Sequence, residues 1–225
     1  MGVVGTAWRI FRKDLGIELR SREIVLSTAL FAVLVVVIAA FALGIETAPG
    51  RAAAPGVLWI AISFSATLVL GRTFARERDN GVFTALLLTP APRAGLYLGK
   101  VLGVTAFLLA VELILVPIIG LMFRAPLLAS SHLLAPVALL GTLGYALPGT
   151  LFASMSLRTS LRDLLLGVIL FPLVAPVLIF AAKATATAMD GGALADIVPY
   201  LRWLAVIDGI FLVLGLWLFG PVMED

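Results

Sequence analysis

Six apolar runs, each close to the length of a membrane crossing, constrain this chain more than any other feature. A helix rises about 1.5 Å per residue, so a hydrocarbon layer of about 30 Å takes roughly 20 apolar residues. Runs of this kind lie at approximately 24–43, 55–71, 101–123, 133–157, 164–182 and 204–222. The chain is 62% hydrophobic and 13% charged, against roughly 45–50% and about 25% in a soluble domain. A larger core does not absorb that difference, which predicts an all-α, polytopic membrane protein forming one domain over residues 1–225. The first run follows a charged segment that reaches Glu23. It exceeds the roughly 7–15 apolar residues of a secretory signal, so it is expected to remain as an anchor. The absence of cysteine excludes disulfides and thiolate metal sites.

The loops give an orientation. Arg9, Arg12, Lys13, Arg20 and Arg22 precede the first run, Arg72, Arg76, Arg78, Arg93 and Lys100 lie between the second and third, and Arg158 and Arg162 follow the fourth. The alternate loops hold only Arg51, Arg124, Lys183 and Arg202. Basic loops stay in the cytoplasm, so both termini are expected there. The pI of about 9.7 then reflects topology, and nucleic acid is not an expected partner. Trp59, Tyr200, Trp203 and Trp217 stand near the proposed span ends, where amphipathic rings favour the interface.

Two segments outside the spans are patterned. In residues 6–23, Trp8, Phe11, Leu15 and Leu19 recur at helical spacing, with Arg9, Arg12, Lys13, Gly16 and Arg20 on the other side. That is a basic amphipathic helix lying in the headgroup plane, in contact with the bilayer. Residues 72–100 form a charged loop carrying its own short apolar helix. Arg76, Glu77, Arg78 and Asp79 make a mixed-sign cluster, and Asp79 or Asn80 suits a helix cap. Val82, Phe83, Leu86 and Leu87 then make an apolar face, which Pro90 and Pro92 terminate. Such a helix can dock a cytoplasmic partner and transmit force, or it can pack on lipid; the residues alone leave both open. A phosphate-binding loop is excluded at Gly95 to Val101. Three residues separate the glycines instead of four, and valine follows Lys100 where a hydroxyl is needed.

Few polar groups lie at membrane depth. Glu112 sits mid-way along the third run, where an ionised group costs roughly 2.5–3.5 kcal/mol; it is either functional or a packing bond to a neighbouring helix. Asp208, early in the sixth run, is placed to cap a kink or pair with Arg202. His132, the only histidine, lies beside Ser130 and Ser131 and reads as an interfacial residue rather than a haem ligand. Pro117, Pro136, Pro148, Pro172 and Pro176 fall in spans three to five. With Gly99, Gly103, Gly141, Gly144 and Gly149 they describe a kinked, closely packed bundle or dimer. Residues 183–203 are expected to form a long outer connection, with a surface or re-entrant helix.

This order of parts resembles the membrane half of an ABC-2 type exporter. The stretches FRKDLGIELRSRE, PGVLWIA, FARERDNGVFTALLLTPAPRAGLYLGKVLG, GTLGYALPGTLFASMSLRTSLRDLLLGVILFPLVAPVLI and IDGIFLVLGLWLF are similar to the cytochrome c maturation protein B family, CcmB, over nearly the whole chain. The resemblance implies a non-catalytic permease. Its partners would be a dimer of a CcmA-like ATPase, a second copy of itself, CcmC-like and CcmD-like subunits, and a membrane-anchored CcmE-like haem chaperone. It also implies that ATP and haem are handled by those partners, with no cofactor held by this chain. Arg76, Glu77, Arg78, Asp79, Phe83, Leu86 and Leu87 take the coupling-helix position facing the ATPase. An exporter of a drug, lipid or polysaccharide shares the architecture, and an ATP-independent scaffold or a channel is the alternative of another class. An intramembrane enzyme is disfavoured, because Glu112, Asp208 and His132 do not form a catalytic set.

Overall fold

Apolar runs in hydrocarbon must satisfy their own backbone groups, and helices do so within each segment. The computed structural model describes residues 2–45, 47–79, 91–155 and 165–224, and no strand occurs among them. The elements are α1 (Val3–Ser21), α2 (Glu23–Leu43), α3 (Ala48–Asp79), α4 (Arg93–Met122), α5 (Ser131–Met155), a π-helical turn (Leu165–Ile169) running into α6 (Leu170–Met189), and α7 (Leu194–Glu224). Six helices are long and apolar enough to cross a membrane: α2 to α7, with α6 counted from Gly167. The chain is a polytopic all-α membrane protein. The predicted loop helix at 81–88, with Phe83, Leu86 and Leu87, lies outside the described residues, as do Arg158 and Arg162.

Two boundaries and one side-chain placement differ from the sequence expectation. Helix α3 continues to Asp79, past the run expected to end near residue 71, so the charge cluster at 76–79 is the last turn of a long helix; α4 begins at Arg93, directly after Pro92, as the double proline predicts. Alanine, arginine and glutamate are good helix formers, and nothing in Phe74 to Arg78 breaks the run. The outer connection expected at 183–203 contracts to four residues, because α6 runs to Met189 and α7 starts at Leu194. The alanine-rich stretch after Lys183 sustains the helix, and Gly191, at φ 83°, makes the left-handed turn that reverses the chain. Asp196 accepts the Ala193 amide at 2.9 Å at the start of α7. Finally, Trp59 is no interfacial anchor. It is 3% exposed, and its indole N–H donates to Thr185 Oγ1 at 3.0 Å, joining α3 to α6. Trp203 and Trp217 are exposed.

The interior divides into two apolar clusters stacked along the bundle. One joins Ala32, Val36 and Ala40 of α2 to Ala61 and Ile62 of α3 and to the distal halves of α4, α5 and α6. The other gathers Ile10, Ile24, Phe74, Tyr97, Val104 and Tyr145 at the end that carries α1 and the 80–92 connection. Small residues at Thr28, Ala32, Val36 and Ala40 put one buried stripe on α2, while Leu30, Leu34, Ile38 and Phe41 face outward. That division suits a helix with lipid on one side and close packing on the other.

Helix α1 does not lie free. It packs along α4 over Gly95, Gly99 and Gly103, which recur every fourth residue on one face. A Cβ at Gly99 would stand 2.6 Å from Ile10 Cβ and 2.8 Å from the Ala7 carbonyl oxygen. Gly99→Val is therefore expected to push α1 off α4. The measurement is limited trypsin digestion: cleavage within α1 should accelerate at least about tenfold, since overpacking costs roughly 1–3 kcal/mol, while the spanning helices stay protected.

Candidate functional site

The sites that matter to a membrane subunit are polar groups forced into low dielectric, since each needs a partner. Four charged side chains meet at the end of the bundle that holds α1. Lys13 and Asp14 come from α1, Glu77 from the last turns of α3, and Lys100 from α4. The Lys100 ammonium donates to Asp14 Oδ2 at 2.7 Å and, more closely still, to Glu77 Oε1. Lys13 Nζ lies 3.0 Å from both Asp14 Oδ1 and Glu77 Oε1. Lys100 is 5% exposed, Glu77 6% and Asp14 8%. Burial lowers the pKa of Lys13, but the adjacent Glu77 and Asp14 carboxylates raise it further, so its net displacement is upward and it stays charged.

The local sequence explains the convergence. Ala7, Ile10, Asp14 and Glu18 lie three or four residues apart and form the buried face of α1, a face distinct from that of Trp8 and Leu19, which are exposed. The glycine stripe of α4 lets α1 approach closely enough for Asp14 to reach Lys100. Helix α1 ends at Arg22, whose φ of 53° is left-handed, and its amide donates to the Glu18 carbonyl oxygen at 2.6 Å. Glu18 Oε1 then accepts the Val25 amide at 2.8 Å, placing a carboxylate at the N-terminus of α2 where the helix dipole favours it. The RSRE motif is thus a one-residue joint between α1 and α2.

The positions singled out from sequence fall in different places. Glu77, expected to face a docking partner, is turned inward: the helix it ends is packed against α1 and α4, and its carboxylate is taken by two lysines. Arg76 is partly buried beside it. Arg78 and Asp79 close α3, and their side chains lie outside the described residues. Glu112 is buried, and the Thr142 hydroxyl donates to its Oε1, joining α4 to α5. Asp208 lies mid-way along α7, because that helix starts ten residues earlier than anticipated. The pair with Arg202 does not form: neither Asp208 carboxylate oxygen has a partner among the described residues, and the side chain sits against Gly144 of α5. His132 is exposed in the first turn of α5.

Lys13, Asp14 and Lys100 were missed as site residues. Lys100 sat in plain view inside GLYLGKVLG, a lysine in an apolar helix flanked by glycines at helical spacing. Asp14 was one of two acids, with Glu18, on the basic helix α1. Neither signal names the other as its partner.

A bond between neutral or singly charged groups across membrane helices averages about 0.6 kcal/mol. Thr142→Val is accordingly expected to destabilise the bundle by only about that amount, a shift of roughly 1–3 °C in melting temperature, with Glu112→Gln retaining the contact. A fall of ten degrees would show that Glu112 depends on Thr142 for far more than packing.

Six helices able to cross a membrane, with an amphipathic seventh clamped by buried charge to α3 and α4, define a polytopic integral membrane protein. The family model described as CcmB protein matches residues 5–220. Similar chains include proteins named heme exporter protein B: one from Paracoccus denitrificans, 33% identical with 79% of each chain covered. One from Bradyrhizobium diazoefficiens is 28% identical over 90% of this chain and 92% of its own. One from Pseudomonas aeruginosa is 29% identical over 82% and 81%. The chain belongs to the CcmB family.

Proposed function

We propose that this chain is the membrane-spanning permease subunit of a haem-exporting complex serving cytochrome c maturation, and that it converts ATP hydrolysis by a partner into movement of the bundle. The relatives named heme exporter protein B support the cargo. The observation that carries the mechanical part is the Asp14–Glu77–Lys100 cluster. Glu77 stands three residues before the 80–92 connection and Lys100 eight residues after it, so one buried carboxylate–ammonium contact ties its two stems together. Asp14 fastens that tie to α1. Displacement of the connection by a docked ATPase dimer then moves α3, α4 and α1 as one body.

In this reading Phe83, Leu86 and Leu87 enter a groove on the ATPase, with Arg76, Arg78 and Asp79 around them, and Glu77 positions the lever from within. The chain hydrolyses nothing itself; ATP and haem are handled by CcmA-like and CcmC-like partners, with a CcmD-like subunit, a second copy of the chain and a CcmE-like chaperone completing the set. Both termini face the cytoplasm at the inner membrane, as an even number of spans and the basic loops suggest. The test is purification of the native complex in mild detergent, with mass-spectrometric identification of partners and a haem absorbance spectrum. A co-purifying ATPase together with a haem-handling subunit is the expected result. A homo-oligomer lacking both would overturn the proposal.

A further inference from the structure

A crevice of about 520 Å³ opens on the side of the bundle where α1, α4 and α7 meet over α5. Trp8 of α1 and Leu102 of α4 form one part of its rim, Ala205 and Gly209 of α7 another, and all four are exposed. Leu143 and Leu147 of α5, set more deeply, make the floor. The crevice follows α5 from Leu140 to Leu147, about 10 Å at the helical rise, which is less than one leaflet of a ~30 Å core. Its lining is apolar save for Asp208. That carboxylate is turned away: both oxygens are buried, and a Cβ at Gly144 of α5 would stand 2.6 Å from Oδ1. Charge collects at the α1 end. The acids of α1, Asp14 and Glu18, are buried, while Arg9, Arg12 and Arg20 are exposed. Arg12 lies one turn beyond Trp8 on the same face, and the Trp8 and Phe11 rings sit 5.4 Å apart beside it.

We propose that this crevice holds an acyl chain of an anionic phospholipid, whose phosphate lies against the exposed arginines of α1, Arg12 foremost. A ligand that is apolar along its inner length and negatively charged at its outer end complements both parts of the site. Membrane lipid supplies that ligand from the headgroup plane, where an exposed tryptophan and a basic amphipathic helix are at home. A helix of another subunit would complement the apolar part alone, unless it carried acids at the level of Arg12. So placed, the lipid fills the gap between α1 and α7. The inference does not depend on what the chain transports.

The experiment places the full chain in nanodiscs containing phosphatidylglycerol or phosphatidylcholine with a diazirine in the acyl chain. After irradiation, labelled peptides are identified by mass spectrometry. Label from phosphatidylglycerol is expected at 98–102 and 205–212, exceeding that from phosphatidylcholine by at least about fivefold, the preference one arginine near the headgroups confers. Leu30, Leu34 and Ile38, exposed on α2, serve as the reference for ordinary boundary lipid and should label equally from both. Gly209→Trp fills the crevice, and because a Cβ at Gly209 meets nothing within 4 Å, α7 accepts it. Label at 98–102 should then fall to the level of the α2 reference. Arg12→Gln, at an exposed position, should remove most of the phosphatidylglycerol excess and leave the phosphatidylcholine signal as it was; it decides the matter if Gly209→Trp does not fold. Equal label from the two lipids, phosphatidylglycerol label no stronger than on α2, or an excess that survives both variants would each overturn the proposal. The same labelling on the native complex tests for a protein occupant: loss of the crevice label there assigns the crevice to a partner's helix and overturns the lipid.

Discussion

Lys100→Met is expected to be the most destabilising single substitution in this chain. Methionine fills much of the lysine volume, so packing against α1 survives, but Asp14 and Glu77 are left as two buried carboxylates with Lys13 as their remaining shared cation. Breaking one side of a buried pair costs about 3–5 kcal/mol, which for a chain of this size lowers the melting temperature on the order of 10 °C. Thermal unfolding in detergent, followed by circular dichroism, measures it. The triple variant Lys100→Met, Asp14→Asn, Glu77→Gln should recover most of the loss, because removing all the charges together also removes their desolvation cost. If the single variant melts within two degrees of the parent, the cluster is not the clamp described above.

Phe83→Ala, Leu86→Ala and Leu87→Ala in combination are expected to separate coupling from folding. These residues lie outside the six apolar runs of the sequence, so the melting temperature is expected to hold. Three large apolar side chains in an interface carry roughly 1.5–3 kcal/mol each when fully buried, enough to reduce partner affinity by more than a hundredfold. ATPase activity in the reconstituted complex should then fall to the rate of the ATPase alone. Glu77→Gln gives the contrasting profile: it lowers stability as well as stimulation, because its carboxylate holds Lys13 and Lys100 inside the protein. Unimpaired stimulation in the triple alanine variant would remove the docking role from residues 81–88.

The crossing helices were legible in the sequence because a single quantity, apolar length, decides them. Their ends were less so. Residues 183–203 read as a long outer connection, yet 194–203 prove to be the first turns of α7, Pro199 included, since a proline is tolerated where neighbouring helices protect the backbone. Trp59 looked like an interfacial ring because its hydroxyl partner Thr185 is 126 positions away, a distance at which no spacing rule operates. The same holds at the ion cluster. Asp14 and Lys100 are separated by 86 positions and Glu77 and Lys100 by 23, so local pattern gave the face of each helix but not its companions. The near-miss for a phosphate loop at Gly95 to Lys100 was informative in hindsight: its glycines are spaced for a helix surface, and its lysine is the centre of the cluster.

The joint at Arg22 has a consequence for assembly. Helix α1 is synthesised before α4 and is fixed to α2 by one left-handed residue, yet the surface that receives it, Gly95 to Gly103 with Lys100, emerges some eighty residues later. Until then Asp14 has no ammonium beyond its neighbour Lys13, and Glu18 can do no more than cap α2. Helix α1 therefore waits for α4 before it finds its place, and it closes the end of the bundle only when that helix has arrived.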